Sequence, residues 1–184
     1  MHVVINARAT IVEVLPKGGI GAEIGVFRGS FSRVIFANAR PKKLFLVDPW
    51  ENSARPEHAA SWYAAGGQND MEKIHGEVTH IFGNRPYAGR VEVVRSGSVP
   101  WLSRQADESL DFVYIDGDHS YDAVRQDIAL SVAKVRSGGV IAVDDYSLGQ
   151  WWGDGVVRAV HEALVAHPLT IAFCAEAQVA LRRL

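Results

Sequence analysis

Leu110-Asp111-Phe112-Val113-Tyr114-Ile115-Asp116-Gly117-Asp118-His119-Ser120-Tyr121 begins as an apolar run and stops at an aspartate; Val140-Ile141-Ala142-Val143-Asp144-Asp145 repeats the pattern further on. Each run reads as a buried strand. Between them Val124, Ile128, Val132 and Val135 recur at steps of three and four, which predicts a helix over Tyr121 to Val135. A strand, a crossover helix and a second strand form a unit whose strands run parallel, roughly 4.8 Å apart when they are neighbours. Asp116 and the pair Asp144-Asp145 then converge at one carboxyl edge of a sheet, the edge at which open α/β sheets bind ligands. Aspartate and glycine are also common where a strand turns into a helix, and Asp118 or Ser120 can cap the helix that follows. Clustered carboxylates, however, repel one another unless a cation, a donor or water compensates them, and this favours a functional reading of the group.

Outward from this unit the alternation continues. Ala7 to Leu15 is expected to form a short amphipathic helix ended by Pro16 and Gly18-Gly19. Gly21 to Val26 is the first strand, Ser30 to Ala39 a helix, and Leu44 to Asp48 the second strand, stopped by Pro49. Residues 49–69 break the pattern with a polar, Ala- and Gly-rich stretch holding Trp50, Trp62 and Tyr63, a candidate lid; Met71 to Phe82 is helical again. Val91 to Val94 is a third strand, Val99 to Gln105 a short helix and Val156 to Ala166 a further one. Leu169 to Phe173 and Val179 to Leu184, with little between them, pair antiparallel as a terminal hairpin. The expected fold class is α/β with a doubly wound, mostly parallel sheet.

With 184 residues and 48% hydrophobic content, one domain spanning 1–184 suffices to bury a core. A formal net charge of -2 argues against a protein held to nucleic acid by counterion release and favours small-molecule partners. Cys174 is the only cysteine, so no internal disulfide can form and no thiol-based zinc set exists. The N-terminal residues lack a signal-peptide pattern and no stretch approaches the length of a membrane span, so the expectation is a cytoplasmic protein without membrane contact, compatible with a homo-oligomer.

The segment from Gly21 to Gly29 spaces glycines four apart across the junction of the first strand and its helix, where absent side chains let a ligand lie against the backbone. No register of it supplies G-x-G-x-x-G, which weakens a nicotinamide reading. Asp48 ends the second strand at the distance where nucleotide folds place an acid that accepts hydrogen bonds from ribose hydroxyls, implying adenosine; its alternative is a cap before Pro49. Arg95-Ser96-Gly97-Ser98 forms a small polar turn after the third strand, able to bond an adenine edge.

Taken together, Glu-x-Gly-x-x-x-Gly from Glu23 to Gly29, Asp48, the Ile115 to Tyr121 segment and Asp144-Asp145-Tyr146 resemble the class I S-adenosylmethionine-dependent methyltransferases, in the small bacterial group that shares Asp-Gly-Asp-His-Ser-Tyr. The resemblance covers nearly the whole chain. It implies a Rossmann-like seven-stranded sheet of order 3-2-1-4-5-7-6. It also implies that Glu23, Gly25 and Gly29 flank the methionine part of the cofactor, Asp48 the ribose, and Ser96, Gly97 and Ser98 the adenine, with Asp116 both a cofactor-binding and a catalytic residue. Asp116, Asp144 and Asp145 match positions that hold a divalent ion, such as Mg2+, in metal-dependent O-methyltransferases. Those acting on catechols and caffeoyl thioesters usually carry asparagine where Asp145 stands and lysine where His119 stands.

The implied reaction is methyl transfer to a small-molecule hydroxyl, an in-line displacement in which the site holds the acceptor oxygen on axis with the methyl group. The ion would fix that oxygen and lower the hydroxyl pKa, and His119, with an ordinary pKa near neutrality, would take the proton. His119 also reads as an exposed loop histidine. Of the other six histidines only His58, in the candidate lid, is placed to approach a substrate. Trp50, Trp62, Trp101 and Trp151-Trp152 all follow strand carboxyl ends or lie in the lid, suggesting either an aromatic wall for the site or hydrophobic cover for the sheet. Two other classes stay open: a nucleotide-linked oxidoreductase domain, and a non-catalytic module that binds S-adenosylmethionine without turnover.

Overall fold

In a computed structural model of the chain, which describes residues 7–52, 67–149 and 151–184, the seven strands form one sheet in the order β3-β2-β1-β4-β5-β7-β6. They are β1 Ile20–Ile24, β2 Lys43–Asp48, β3 Val91–Arg95, β4 Leu110–Ile115, β5 Val135–Val143, β6 Leu169–Ala175 and β7 Gln178–Arg183. Strands β1 to β5 pair in parallel, and β7 runs antiparallel to both β5 and β6. The expected order, the crossover unit and the terminal hairpin all form.

Among the described residues six helices cover the sheet: α1 Ala7–Thr10, continued by a 3₁₀ turn at Ile11–Glu13, α2 Ser30–Ala39, α3 Gly67–Phe82, α4 Ser98–Leu102, α5 Tyr121–Lys134 and α6 Gly155–Ala166. Every residue of β4 is buried, as a central parallel strand requires, and its alternation divides the core. Val113 and Ile115 face one layer with Val124, Ile128 and Val132 of α5 and Val156, Ala159 and Val160 of α6. Phe112 and Tyr114 face the other, with Ile35 and Phe36 of α2, Ile74 and Val78 of α3, and the N-terminal Ile11, Val12 and Leu15.

Among the expected boundaries that move, two do so for reasons visible in the packing. The predicted helix from Ala7 to Leu15 is a single α-turn that tightens into 3₁₀, because Ile11, Val12 and Leu15 are all drawn into the same core layer. Val135 fits the helical period of α5 but adopts extended geometry and opens β5 opposite Leu110; a register shift between Leu110 and Phe112 then absorbs the exposed Arg136 to Gly138. Of the candidate lid, residues 53–66, with His58, Trp62 and Tyr63, lie outside the described residues.

Candidate active site

The carboxyl ends of β1, β2, β4 and β5 are tied together through their backbones. Gly25 N–H donates to Val47 O at 2.9 Å, Asp116 N–H to Ile24 O at 2.8 Å and Asp144 N–H to Ile115 O at 2.9 Å. Gly25 lies at φ +85°, and a Cβ there would stand 2.0 Å from the carbonyl oxygen of Asp116. Only glycine permits the two loops to touch. The non-glycine residues Phe27, Trp50 and Asp145 also take left-handed φ values of 49°, 43° and 56°, so three of the loops at this edge carry backbone strain.

Asp48 is buried at the end of β2. Its Oδ2 accepts the N–H groups of Val26 and Phe27, each at 2.9 Å, and its Oδ1 accepts that of Trp50 at 2.7 Å. It therefore shapes the glycine loop from the neighbouring strand, a task the sequence reading did not give it. Glu23, in the middle of the edge, is buried and accepts the Ser32 hydroxyl of α2. Burial drives its carboxyl up from 4.5 to about 8, against the Ser32 hydrogen bond and the Arg8 charge, with Asp48 adding to the rise. Gly29 caps α2 at φ +71°.

On the β3 side, Ser96 N–H donates to Asp48 O at 3.1 Å and Gly97 is the N-cap of α4. Asp127, a buried carboxyl on α5, is pushed up to about 7 mainly by desolvation, with Ser98 at the start of α4 pulling the other way. Asp127 was legible in principle: it is a charged residue on the stripe Val124, Asp127, Ile128, Ser131, where apolar residues are expected.

The three aspartates come together only in part. Asp116 and Asp144 both pair with the Arg8 guanidinium, the latter at 3.0 Å, and Arg8 stacks over the Phe31 ring with its Cζ 4.6 Å from the centroid. Behind Asp144 lies a hydrogen-bonded chain: Gln178 Nε2 donates to Asp144 Oδ1, and the Tyr114 hydroxyl donates to Gln178 Oε1 at 2.9 Å. Burial, together with Asp144 alongside, pushes Asp116 well above the ordinary carboxylate range against the pull of Arg8. The left-handed turn at Asp145 sends its carboxylate elsewhere, to His119 Nε2 at 3.2 Å, while Asp116 lies 3.9 Å from the same nitrogen.

The expected metal site of Asp116, Asp144 and Asp145 is therefore not assembled. Among the described residues no three His, Cys, Asp or Glu side chains are arranged to hold a metal ion. Two of the three carboxylates already share an arginine, and the third is turned onto a histidine. The residues present do not fit a divalent ion in this arrangement.

His119 itself is largely buried, with its ring 5.0 Å from that of Trp152 and 6.4 Å from that of Trp151. Desolvation lowers its pKa below 6.5 even though Asp145, Asp144 and Asp118 pull upward. Ser120 is the N-cap residue of α5 and makes no side-chain cap bond; Asp118 Oδ1 accepts Ser120 N–H at 2.9 Å in the turn that leads into the helix. The tryptophans divide: Trp151 and Trp152 stand beside His119, whereas Trp50 and Trp101 are buried in the two core layers. Trp50 Nε1 donates to Phe27 O at 2.8 Å, fastening the glycine loop from below.

The sequence alone left out Arg8, Gln178 and Asp127. Arg8 lies 108 positions from Asp116 on a one-turn helix, and no local pattern could have paired them.

Among the described residues no helix is long and apolar enough to cross a membrane. A curated relative, uncharacterized protein R132 of Acanthamoeba polyphaga mimivirus, is 29% identical over 136 residues, covering 70% of this chain and 52% of its own length. The chain thus spans about half of that relative. Among solved structures, an rRNA methylase from Streptococcus thermophilus superposes with a TM-score of 0.63 at 13% identity, covering 100% of this chain and 99% of the other. A Streptococcus mutans protein solved in complex with SAH superposes with a TM-score of 0.63 at 12% identity, covering 97% and 96%. At such identities the likeness is one of fold. The family model described as a methyltransferase domain matches residues 22–146, from the glycine loop to the residue after Asp145. By that match and by its sheet order, the chain belongs to the methyltransferase-domain family and has the class I methyltransferase fold.

Proposed function

We propose that the chain is an S-adenosylmethionine-dependent O-methyltransferase acting on a small-molecule hydroxyl, with His119 as the base. The observation that carries this reading is a largely buried imidazole, His119, held 3.2 Å from Asp145 on the same edge as the glycine loop and Asp48. The cofactor would lie across β1, β2 and β3, with its ammonium near Glu23, its ribose by the Asp48 loop and its adenine at Ser96 to Ser98. When bound, it supplies an electrophilic methyl on sulfur.

The chain's own residues do the rest. Asp145 holds one nitrogen of His119, which fixes the ring and leaves the other nitrogen to take the hydroxyl proton. The acceptor oxygen, relieved of its proton by His119, would be the nucleophile for the methyl group that the bound cofactor would supply, the sulfur keeping the electrons of the broken bond. Trp151 and Trp152 give the acceptor an apolar surface beside the imidazole. No step runs through a metal.

A nucleic-acid acceptor is disfavoured by the net charge of -2. A small-molecule acceptor in a cytoplasmic setting fits better. Incubation with S-adenosylmethionine and a panel of phenolic, sugar and carboxylate acceptors, read by mass spectrometry, tests the reading. A methylated hydroxyl product, lost in His119→Ala, is expected. Product formation that is indifferent to His119→Ala, or a methyl found only on RNA, would contradict it.

A further inference from the structure

The acidic edge already contains a cation. Arg8 reaches Asp116 and Asp144 from the N-terminal segment, and it is held there from three directions: by the two carboxylates, by the Phe31 face beneath its guanidinium, and by Ile11 and Val12, which are fully buried one turn later. A long surface arginine without such anchorage would forfeit side-chain entropy for little return. Here the segment is fixed by core packing, and its two carboxylate partners are themselves fixed, Asp144 by Gln178 and Asp116 by its N–H bond to Ile24.

We propose that Arg8 is the resident cation of the acceptor site, taking the place that a divalent ion occupies in metal-dependent relatives of this fold, so that this enzyme works without a metal. The inference rests on the methyltransferase reading above. A guanidinium neutralises the two carboxylates as an ion would, and it offers N–H donors in a plane. Unlike an ion it cannot be chelated. The acceptor should then present a single hydroxyl to an N–H donor and to His119, and a vicinal pair of hydroxyls should bring no advantage.

Titration calorimetry with MgCl2 and with MnCl2, on the wild-type chain and on Arg8→Gln, separates the possibilities. The same preparations are titrated with S-adenosylhomocysteine. The wild type is expected to take up neither metal at millimolar concentration and to turn over equally in EDTA. Arg8→Gln, with two carboxylates uncompensated, should bind one equivalent of metal, and Arg8→Gln with Asp144→Asn should not. The wild-type arm requires no variant to fold. One equivalent of metal bound by the wild type, with Arg8→Gln no tighter, would overturn the proposal. Absence of S-adenosylhomocysteine binding would instead remove the methyltransferase reading, and the metal arms would still decide whether Arg8 holds the site.

Discussion

Asp145 Oδ2 lies 3.2 Å from His119 Nε2, and the contact exists because the chain turns left-handed at Asp145, immediately after the carboxylate that binds Arg8. Two adjacent acids thereby serve two different partners. Since desolvation holds the imidazole below 6.5 while Asp145 raises it, the acidic limb of kcat/KM should have its midpoint below 6.5. Asp145→Asn should move that limb to still lower pH, since it removes an upward influence. His119→Ala should lower kcat by about 10²- to 10⁴-fold, the usual worth of a general base, with S-adenosylhomocysteine affinity within a few-fold of wild type. A pH–rate profile of the three proteins checks all of this; an unmoved limb in Asp145→Asn would separate the pair.

Glu23 makes stability depend on pH in the opposite sense to most carboxylates. Its folded pKa of about 8 lies above the ordinary 4.5, so between these values the native state holds a proton that the unfolded chain releases. Stability should fall as pH rises from about 4.5 to 8 and level off beyond, by an amount on the order of a few kcal/mol. Urea denaturation across this range should show the slope in the wild type and a flatter profile in Glu23→Gln. The ammonium of a bound cofactor should favour the ionised carboxylate, so binding near neutral pH should release a proton, detectable as a buffer-dependent heat.

Gly25→Ala would place a methyl group against the Asp116 carbonyl oxygen and force an alanine to φ +85°. Overpacking against backbone and left-handed strain together should cost about 3 kcal/mol or more. For a domain of this size the melting temperature should drop by about 10 °C. Thermal denaturation checks it; a change under about 2 °C would mean that the β1 and β4 loops do not meet as described.

Gln178 links Tyr114 and Asp144, and all three are buried. Gln178→Leu should cost roughly 1–3 kcal/mol, because two polar groups lose their partner away from water. Addition of Tyr114→Phe should recover part of that loss. A double-mutant cycle by denaturant unfolding gives the coupling, and strict additivity would show that the chain of hydrogen bonds does not operate.

The sheet was legible because each central strand is a short, largely apolar run closed by Asp, Gly or Pro, and because the helical period between them is clean. Helix α5 shows where that legibility ends: Val135 satisfies the helical repeat, yet pairing with Leu110 claims it for β5. At the site, Glu23, Gly25, Asp48, Ser98, Asp116 and His119 do gather at one edge, since strand order alone brings them there. What each side chain binds was not legible. Asp48 is engaged by backbone N–H groups, Asp144 and Asp145 part company at a left-handed turn, and Arg8 arrives from a segment with no sequence cue to its destination. Backbone φ at a single residue and contacts across a hundred positions are set by tertiary packing.

The most direct test of the account is titration calorimetry of the folded chain with S-adenosylhomocysteine in EDTA, with NAD(H) as the control. Stoichiometric binding of S-adenosylhomocysteine and none of NAD(H) is the predicted result. A folded protein that binds NAD(H), or that gives no heat with S-adenosylhomocysteine at any pH from 6 to about 9, a window spanning the Glu23 transition, would contradict it.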